Sequence, residues 1–205
     1  AASIISPSVH TATILDDDGT PDLDFASATG STSETVSPAN VVLVLTNPSQ
    51  SDITFDYDVQ DAGAEEAGSP DDYDFADASG VTFASGTTIM TINPVINDDA
   101  VAEGNEDFTI TLTAATGADL VGDTVHTHTI TDDEGAPTIY FQASSSSANE
   151  NVGTHDIVVE MSGLSGSNVV WSIARSGTAT EGGGNDYTDN GLTYTLAAGS
   201  TLQTV

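Results

Sequence analysis

Hydrophobic and polar residues alternate along much of this chain with the period of a β-strand. In ITFDYDV (53–59), Phe55 and Tyr57 alternate with Thr54 and Asp56, which predicts a strand with one buried and one solvated face. Alternating or β-branched patterns also occur in NVVLVLT (40–46), VTF (81–83), TIMTI (88–92), DFTITLTA (107–114) and TVHTHTIT (124–131). Clusters of Gly, Pro, Asn, Asp and Ser separate these segments, and no segment has sustained helical periodicity.

The pattern repeats at the length of a domain. Gly19 and Pro21 recur about 116 positions later as Gly135 and Pro137, and GVTF at 80–83 recurs as GLTY further along the chain. A period of this length indicates an array of domains rather than a solenoid of short repeats.

The repeat predicts three segments. Residues 1–19 are the C-terminal strand of a preceding repeat, 20–135 are a complete domain, and 136–205 are the N-terminal part of a following repeat. With about seven strands in the complete copy, we expect an all-β fold of tandem antiparallel Greek-key, immunoglobulin-like β-sandwich domains. We also expect these residues to be a window on a longer repetitive protein.

Composition makes these predicted sandwiches strongly acidic. The chain has 32 Asp and Glu residues against one base, Arg175, and a formal net charge of −31. Such a surface repels nucleic acid and anionic membranes, so neither is an expected partner, and no apolar run is long enough to predict membrane insertion. The absence of cysteine excludes disulfides, thiolate metal sites and Cys nucleophiles. The expected partners are cations.

Many of the acids lie in separate loops at the ends of predicted strands, in SETVS, PDDYDF, INDDAVAEGNEDF and TDDEGAP. Two carboxylates about 4 Å apart repel each other by on the order of 4 kcal/mol at an effective dielectric constant near 20. Cations between them would relieve this repulsion. Ca²⁺ takes six to eight oxygen ligands in flexible geometry, whereas Mg²⁺ keeps its waters and zinc prefers nitrogen and sulfur. The sequence therefore predicts bound Ca²⁺.

The order of these acids resembles the Calx-beta domain, which is found in sodium–calcium exchangers and in large bacterial surface proteins. The resemblance implies a seven-stranded sandwich with a Ca²⁺ cluster at one tip, beside the junction with the next domain. The matching residues are Glu34, then Asp72-Tyr73, then Asp98-Asp99-x-x-x-Glu103-x-x-Glu106-x-Phe108, and then Ile130-Thr131-Asp132-Asp133-Glu134-Gly135. The ligands that the resemblance implies for the complete copy are Glu34, Asp72, Asp98, Asp99, Glu103, Glu106, Asp132, Asp133 and Glu134.

The flanking copies supply further candidate ligands by the same correspondence. TILDDDGTP at 13–21 matches TITDDEGAP at 129–137, so its acids would serve the preceding copy. The predicted ligands of the flanking copies are Asp16, Asp17 and Asp18 before the complete domain, and Glu150 and Asp186 after it.

Three other kinds of site fit the sequence less well. Residues 16–22 have the spacing of a self-contained calcium loop, but the matching stretch ends in Thr138 rather than an acid. His126 and His128 share a strand face and would suit a transition metal, but the equivalent of His128 in the preceding copy is Ala12, which favours an ordinary strand position. Paired carboxylates also serve glycoside hydrolases, yet here they recur in like-charged clusters, which favours ion binding over catalysis.

These observations predict a non-enzymatic, calcium-binding structural or adhesive repeat region of a large extracellular or cell-surface protein, in which Ca²⁺ stiffens the joints between neighbouring repeats. Two alternatives stay open. The chain could be a subunit of an extracellular filament or sheath, assembled by β-strand pairing between identical copies. The repeats could also be spacers in a protein whose catalytic or sugar-binding module lies elsewhere.

Overall fold

The alternating segments form strands, as predicted. The structure is a computed structural model and describes residues 2–3, 6–7, 9–15, 17–61, 72–182, 184, 186–189 and 191–205. No helix among these residues is long and apolar enough to cross a membrane. Within the described ranges, one 3₁₀ turn covers Glu150–Val152. The strands are β1 (Asp22–Phe25), β2 (Thr29–Ser33), β3 (Val41–Leu45), β4 (Ile53–Asp61), β5 (Tyr73–Asp74), β6 (Ala78–Phe83), β7 (Ile89–Ile92), β8 (Val95–Ile96), β9 (Val101–Ala102), β10 (Glu106–Thr116), β11 (Asp119–Leu120), β12 (Val125–Thr131), β13 (Ile139–Phe141), β14 (Val158–Met161), β15 (Leu164–Ser165), β16 (Val169–Ser172), β17 (Thr193–Leu196) and β18 (Leu202–Thr204).

Two sheets form the sandwich of the complete repeat, which we call the first domain. One sheet has the strand order β11-β1-β3-β7 and the other has the order β2-β12-β10-β4-β6. The all-β sandwich prediction is confirmed, with two more strands than the seven expected. The first strand divides at 26–28, so that β1 lies in one sheet and β2 in the other, and β11 adds a two-residue edge.

The core of the first domain lies between the two sheets. Its largest fully buried side chains include Phe25, Phe55, Phe83 and Phe108, each 2% exposed or less. Burying a side chain of this size stabilises the fold by about 2 kcal/mol or more. The alternation predicted for β4 is confirmed, because Phe55 is buried whereas its neighbour Thr54 is exposed.

One end of the second sheet gathers three chain segments. β2 runs parallel to β12, with Thr29 opposite Thr127 and Ser33 opposite Thr131. β10 runs antiparallel to β12, with Glu106 opposite Ile130. β2 and β12 therefore end, and β10 begins, at the same end of the sheet.

The following repeat, which we call the second domain, reproduces part of this arrangement. The sheet β13-β14-β18 corresponds to β1-β3-β7, and the pair β16–β17 corresponds to β4–β6. Met161 and Leu196 are buried, and Trp171 stacks on Tyr194 with ring centroids 4.9 Å apart. The two domains meet where β15 pairs in parallel with β9 of the first domain.

His126 and His128 lie inside the core of the first domain and are 4% and 2% exposed. His126 Nδ1 lies 2.8 Å from the carbonyl oxygen of Ser27 and must donate to it, so His126 Nε2 accepts from His128 Nδ1 at 3.3 Å. The hydroxyl of Thr32 then donates to His128 Nε2 at 3.0 Å. Gly30 covers the pair, since a Cβ there would lie 3.0 Å from both facing nitrogens. The neutral pair is fully hydrogen-bonded, which supports the ordinary strand position over a metal site.

The buried His128 predicts a specific loss of stability in acid. Burial, together with the neighbouring His126, lowers its pKa from 6.5 to about 4, and Asp107 only partly opposes this. The unfolded chain therefore binds more protons than the folded chain between these values. The contribution is fully present above pH 6.5 and is lost as the pH falls toward 4. Between pH 7 and pH 5 the free energy of unfolding should fall by about 2 kcal/mol through this residue.

Urea unfolding of His128→Gln at pH 7 and pH 5 tests this prediction. The variant should show a smaller decrease in unfolding free energy than the parent protein, whereas a variant of the exposed His155, His155→Gln, should behave as the parent does. An equal decrease in all three proteins would show that His128 does not titrate as its burial implies.

Candidate metal centre

Parallel pairing brings Glu34 beside the acids that follow β12. Glu34 comes directly after β2, and its N–H donates to the carbonyl of Thr131 at 3.2 Å. The N–H of Asp133 donates in turn to Glu34 Oε1 at 3.0 Å. Glu34, Asp133 and Glu134 each offer a carboxylate oxygen, and these oxygens lie within 4.8 Å of one another. They form the first acidic group.

A second acidic group forms from Asp72, Glu103 and Glu106, whose carboxylate oxygens also lie within 4.8 Å of one another. Asp72 precedes β5, which pairs with β8, and the carbonyl of Asp72 accepts the N–H of Asn97 at 2.8 Å. This contact holds Asp72 against the loop that leads to β10. Glu106 begins β10, so the strand pairing fixes its position at the same sheet end as the first group.

Asp132 connects the two groups through backbone amides. Its Oδ1 accepts the N–H of Glu134 at 3.0 Å, and its Oδ2 accepts the N–H of Glu103 at 2.9 Å. Each group contains one of the two residues held in this way. The two groups therefore belong to one continuous acidic site at the tip of the first domain.

The charges of this site are poorly solvated. Glu34 and Asp72 are 5% and 4% exposed. Burial raises the pKa of Glu34 to about 7, and the nearby Glu134 and Asp132 add to the increase, while the hydrogen bond from the N–H of Asp133 opposes it. Partial desolvation and the neighbouring Asp133 and Asp132 also raise the pKa of Glu134. Glu34 and Glu134 thus lie where negative charge is unfavourable.

No base of the protein compensates this charge. Arg175, the single base of the sequence, lies in the second domain, where it pairs with Glu181 and with Asp189, the latter at 3.1 Å. Cations from solution are therefore the natural counter-charge for the acidic site.

The donor atoms suit a hard cation. Within the described part of the chain, Asp99 Oδ2 and Glu134 Oε2 are buried without a hydrogen-bond partner. Both acidic groups offer only carboxylate oxygens, and these come from separate loops. Calcium is bound by such sets of oxygens in flexible geometry, whereas zinc prefers nitrogen and sulfur. The residues present fit Ca²⁺.

Two other predicted ligands of the complete domain lie in the loop before β9. Asp99 is half-buried, and its Oδ1 accepts the N–H of Val101 at 2.7 Å, which leaves Oδ2 as its unpartnered oxygen. Asp98 is exposed and belongs to neither acidic group.

The predicted ligands of the flanking copies are not brought into a group of three acids within the described residues. Asp17 and Asp18 are exposed, and Asp16 lies outside the described residues. Glu150 is exposed at the start of the 3₁₀ turn. The carboxylate of Asp186 accepts the N–H and hydroxyl of Thr180 at 2.8 and 3.0 Å, and the backbone bond lowers its pKa.

The second domain contacts the acidic site through a segment that no sequence pattern predicted. In β15, Ser165 is opposite Ala102 of β9, and the N–H of Gly166 donates to the carbonyl of Ala102 at 3.1 Å. A Cβ on Gly166 would overlap the side chain of Glu103, 2.5 Å from its Oε1. The only sequence signal was the small residue in GLSGS (163–167), which resembles any other loop.

Comparison with known proteins identifies a family. The Calx-beta domain family model matches residues 16–135 and 132–205. Among curated proteins, none matches this sequence.

Several solved structures are similar to the chain. A crystal structure of CBD12 from CALX1.2 is 22% identical, with a TM-score of 0.49, over 90% of this chain and 73% of that one. The calcium binding domain CBD12 of CALX1.1 is also 22% identical, with a TM-score of 0.48, over 89% of this chain and 73% of that one. The apo-form Calx CBD1 domain is 24% identical, with a TM-score of 0.48, over 57% of this chain and all of that one.

Charge repulsion at the acidic site predicts opposite effects of one substitution with and without a cation. Glu34→Gln keeps an acceptor for the N–H of Asp133 but removes a buried charge. In the presence of a chelator at pH 8, the variant should have a higher melting temperature than the parent protein, because one repulsive carboxylate has been removed. With millimolar Ca²⁺ the parent should be more stable, because it retains a ligand.

Asp58→Asn is the matched control, since Asp58 is an exposed acid outside both groups. It corrects for the general effect of lowering the net charge. If Glu34→Gln changes the melting temperature in the same direction under both conditions, the buried repulsion is not relieved by calcium.

Proposed function

Because the chain belongs to the Calx-beta domain family, we propose that the tip of its first domain is a calcium site that stiffens the joint to the second domain. The tandem domains would then serve a non-enzymatic, structural or adhesive role in an extracellular or cell-surface protein. The observation that carries this proposal is the pair of acidic groups joined by Asp132. Each group contains one buried carboxylate, neither has a neighbouring base, and both lie where the chain leaves the domain.

Two cation positions follow from the two groups. Glu34, Asp133 and Glu134 would hold one ion, and Asp72, Glu103 and Glu106 would hold the other. Asp99 Oδ2, in the loop before β9, would be an additional oxygen ligand. Bound Ca²⁺ supplies the positive charge that these carboxylates lack, and Asp132 keeps the two groups together through its two backbone contacts.

The joint lies directly beside these ligands. Glu134 is followed by the short linker 135–138 and then by β13 of the second domain. Glu103 follows β9, which pairs with β15, and its side chain lies against Gly166. The ion held by Glu134 would therefore restrain the covalent linker, and the ion held by Glu103 would restrain the docked loop. Loss of the two ions would release both through charge repulsion.

Spin-label distances between the domains test the joint mechanism. The chain contains no cysteine, so labels at Thr82→Cys in β6 and Thr195→Cys in β17 report one distance without background labelling. We expect a narrow distance distribution in Ca²⁺ and a broader one in excess EDTA. Adding Asp72→Asn should broaden the distribution in Ca²⁺, because it removes a buried ligand, whereas Asp58→Asn should not. Equal widths in Ca²⁺ and EDTA would refute the joint mechanism.

Calcium affinity tests the proposed location. Extracellular calcium modules bind with dissociation constants of about 10⁻⁴–10⁻³ M, whereas cytosolic sensors bind at about 10⁻⁷–10⁻⁵ M. We expect isothermal titration calorimetry to give the weaker range and at least two ions for each chain. A submicromolar affinity would favour a cytosolic sensor and argue against the exterior role.

A further inference from the structure

The surface of the second domain that receives β9 has a counterpart on the first domain. Ser165 and Gly166 correspond to Ser49 and Gln50 in the repeat alignment. On the second domain this surface is covered by β9 through the parallel pairing with β15. On the first domain it is an open groove of about 680 Å³, whose lining includes Asn47, Pro48, Ser49, Gln50, Ser51 and Gly86.

The two surfaces have the same backbone geometry around the central serine. The N–H of Gly86 donates to the carbonyl of Ser49 at 2.8 Å, and Gly199 donates to Ser165 at 2.9 Å. The hydroxyl of Ser49 accepts the N–H of Ser51 at 3.1 Å, and the hydroxyl of Ser165 accepts the N–H of Ser167 at 3.3 Å.

A third contact also recurs. Asp52 accepts the N–H of Ser85 at 2.8 Å, and Asn168 accepts the N–H of Ala198 at 3.0 Å. The groove of the first domain thus keeps three hydrogen-bond contacts that surround the β9-binding surface of the second domain.

The incoming chain is seated in the same way on both domains. The N–H of Asp22 donates to the hydroxyl of Thr46 at 2.9 Å, as the N–H of Thr138 donates to the hydroxyl of Ser162 at 2.9 Å. In return, the N–H of Thr46 donates to the carbonyl of Asp22 at 3.1 Å, and the N–H of Ser162 donates to the carbonyl of Thr138 at 3.0 Å. The linker therefore enters both domains along equivalent paths, which would place a preceding domain where the first domain lies relative to the second.

We propose that the groove at Asn47–Ser51 docks another Calx-beta domain, located N-terminal to residue 20, through its segment equivalent to Val101–Glu103. Residues 9–19 supply independent support, because they repeat 125–135, the last strand and the acids of a complete domain. This inference concerns backbone pairing, so it does not require calcium in the acidic site. If this docking occurs, the joint observed between the first and second domains recurs between successive domains of a longer chain.

The residues that differ between the two surfaces are compatible with this pairing. Pro48 replaces Leu164 and lacks an N–H, so a bond donated from that position would be lost, but the bond donated by Gly166 to the carbonyl of Ala102 can be made by the N–H of Gln50. Gln50 replaces Gly166 and adds a side chain where Glu103 contacts the second domain. The glutamate of the docked domain must therefore turn its flexible carboxylate away from Gln50, while its backbone keeps the same register.

Cysteine crosslinking in an extended chain tests the docking. Residues 1–19 are replaced by a second copy of 20–135, which contains both complete sheets of the sandwich, and residues 20–205 are kept. Glu103→Cys in the added copy is combined with Gln50→Cys in the next domain. Since the parent chain has no cysteine, any intramolecular disulfide reports this pair alone.

Two controls make the result decisive. Glu103→Cys with Gly166→Cys in the unextended chain reproduces the observed joint and should form its disulfide readily. The second control combines Glu103→Cys in the added copy with Thr54→Cys in the next domain, and this pair should not form a disulfide. Thr54 is an exposed residue of β4 outside the groove. The proposal predicts that the Gln50 pair crosslinks to a similar extent as the observed joint, and at least ten times more than the Thr54 pair. Crosslinking of the observed joint without preference for Gln50 over Thr54 overturns it. Calorimetric calcium binding by the extended chain without any cysteine substitution, which keeps Glu103, separates this outcome from failure of the calcium proposal.

Discussion

The parallel pairing of β2 with β12 gathers carboxylates at one end of a sheet, and their mutual repulsion governs the tip of the first domain. Glu34 follows β2 and the acidic run follows β12, so the pairing brings them together. Burial then removes the water that would otherwise screen them, which is why the pKa of Glu34 rises to about 7. We expect cations from solution to let the loops around this tip be stable and charged at once.

The fold could be predicted in large part because it depends on local alternation and on an internal repeat. The inward positions of β4 follow from Phe55 and Tyr57 alone, and the six strands predicted from the pattern are all present. The division of the first strand into β1 and β2 could not be predicted, since it depends on tertiary pairing across the sandwich. Likewise, no local signal in TVHTHTIT (124–131) shows that its histidines fill the core, because the alternating pattern allows either face to be buried.

The acids of the candidate site were predicted by their order in the chain, but their separate roles were not. Glu103, Glu106 and Asp72 belong to one group, whereas Asp132 binds backbone amides with both of its oxygens. These differences arise from loop geometry, which spacing does not encode. The contact between Gly166 and Glu103 was missed for a related reason, because it depends on how two domains are placed and not on either sequence segment.

In the second domain, a positively charged side chain of the protein balances part of the acidic charge. Arg175 follows β16 and corresponds to Val59 in the repeat alignment. It pairs with Glu181 and Asp189, so part of the acidic charge of the second domain is balanced within the protein. The first domain has no such base, so we propose that Ca²⁺ supplies its counter-charge. Anomalous diffraction from crystals grown in Ca²⁺ tests that claim most directly. We predict one calcium peak among Glu34, Asp133 and Glu134 and another among Asp72, Glu103 and Glu106. Well-ordered carboxylates at both groups without an anomalous peak would contradict it.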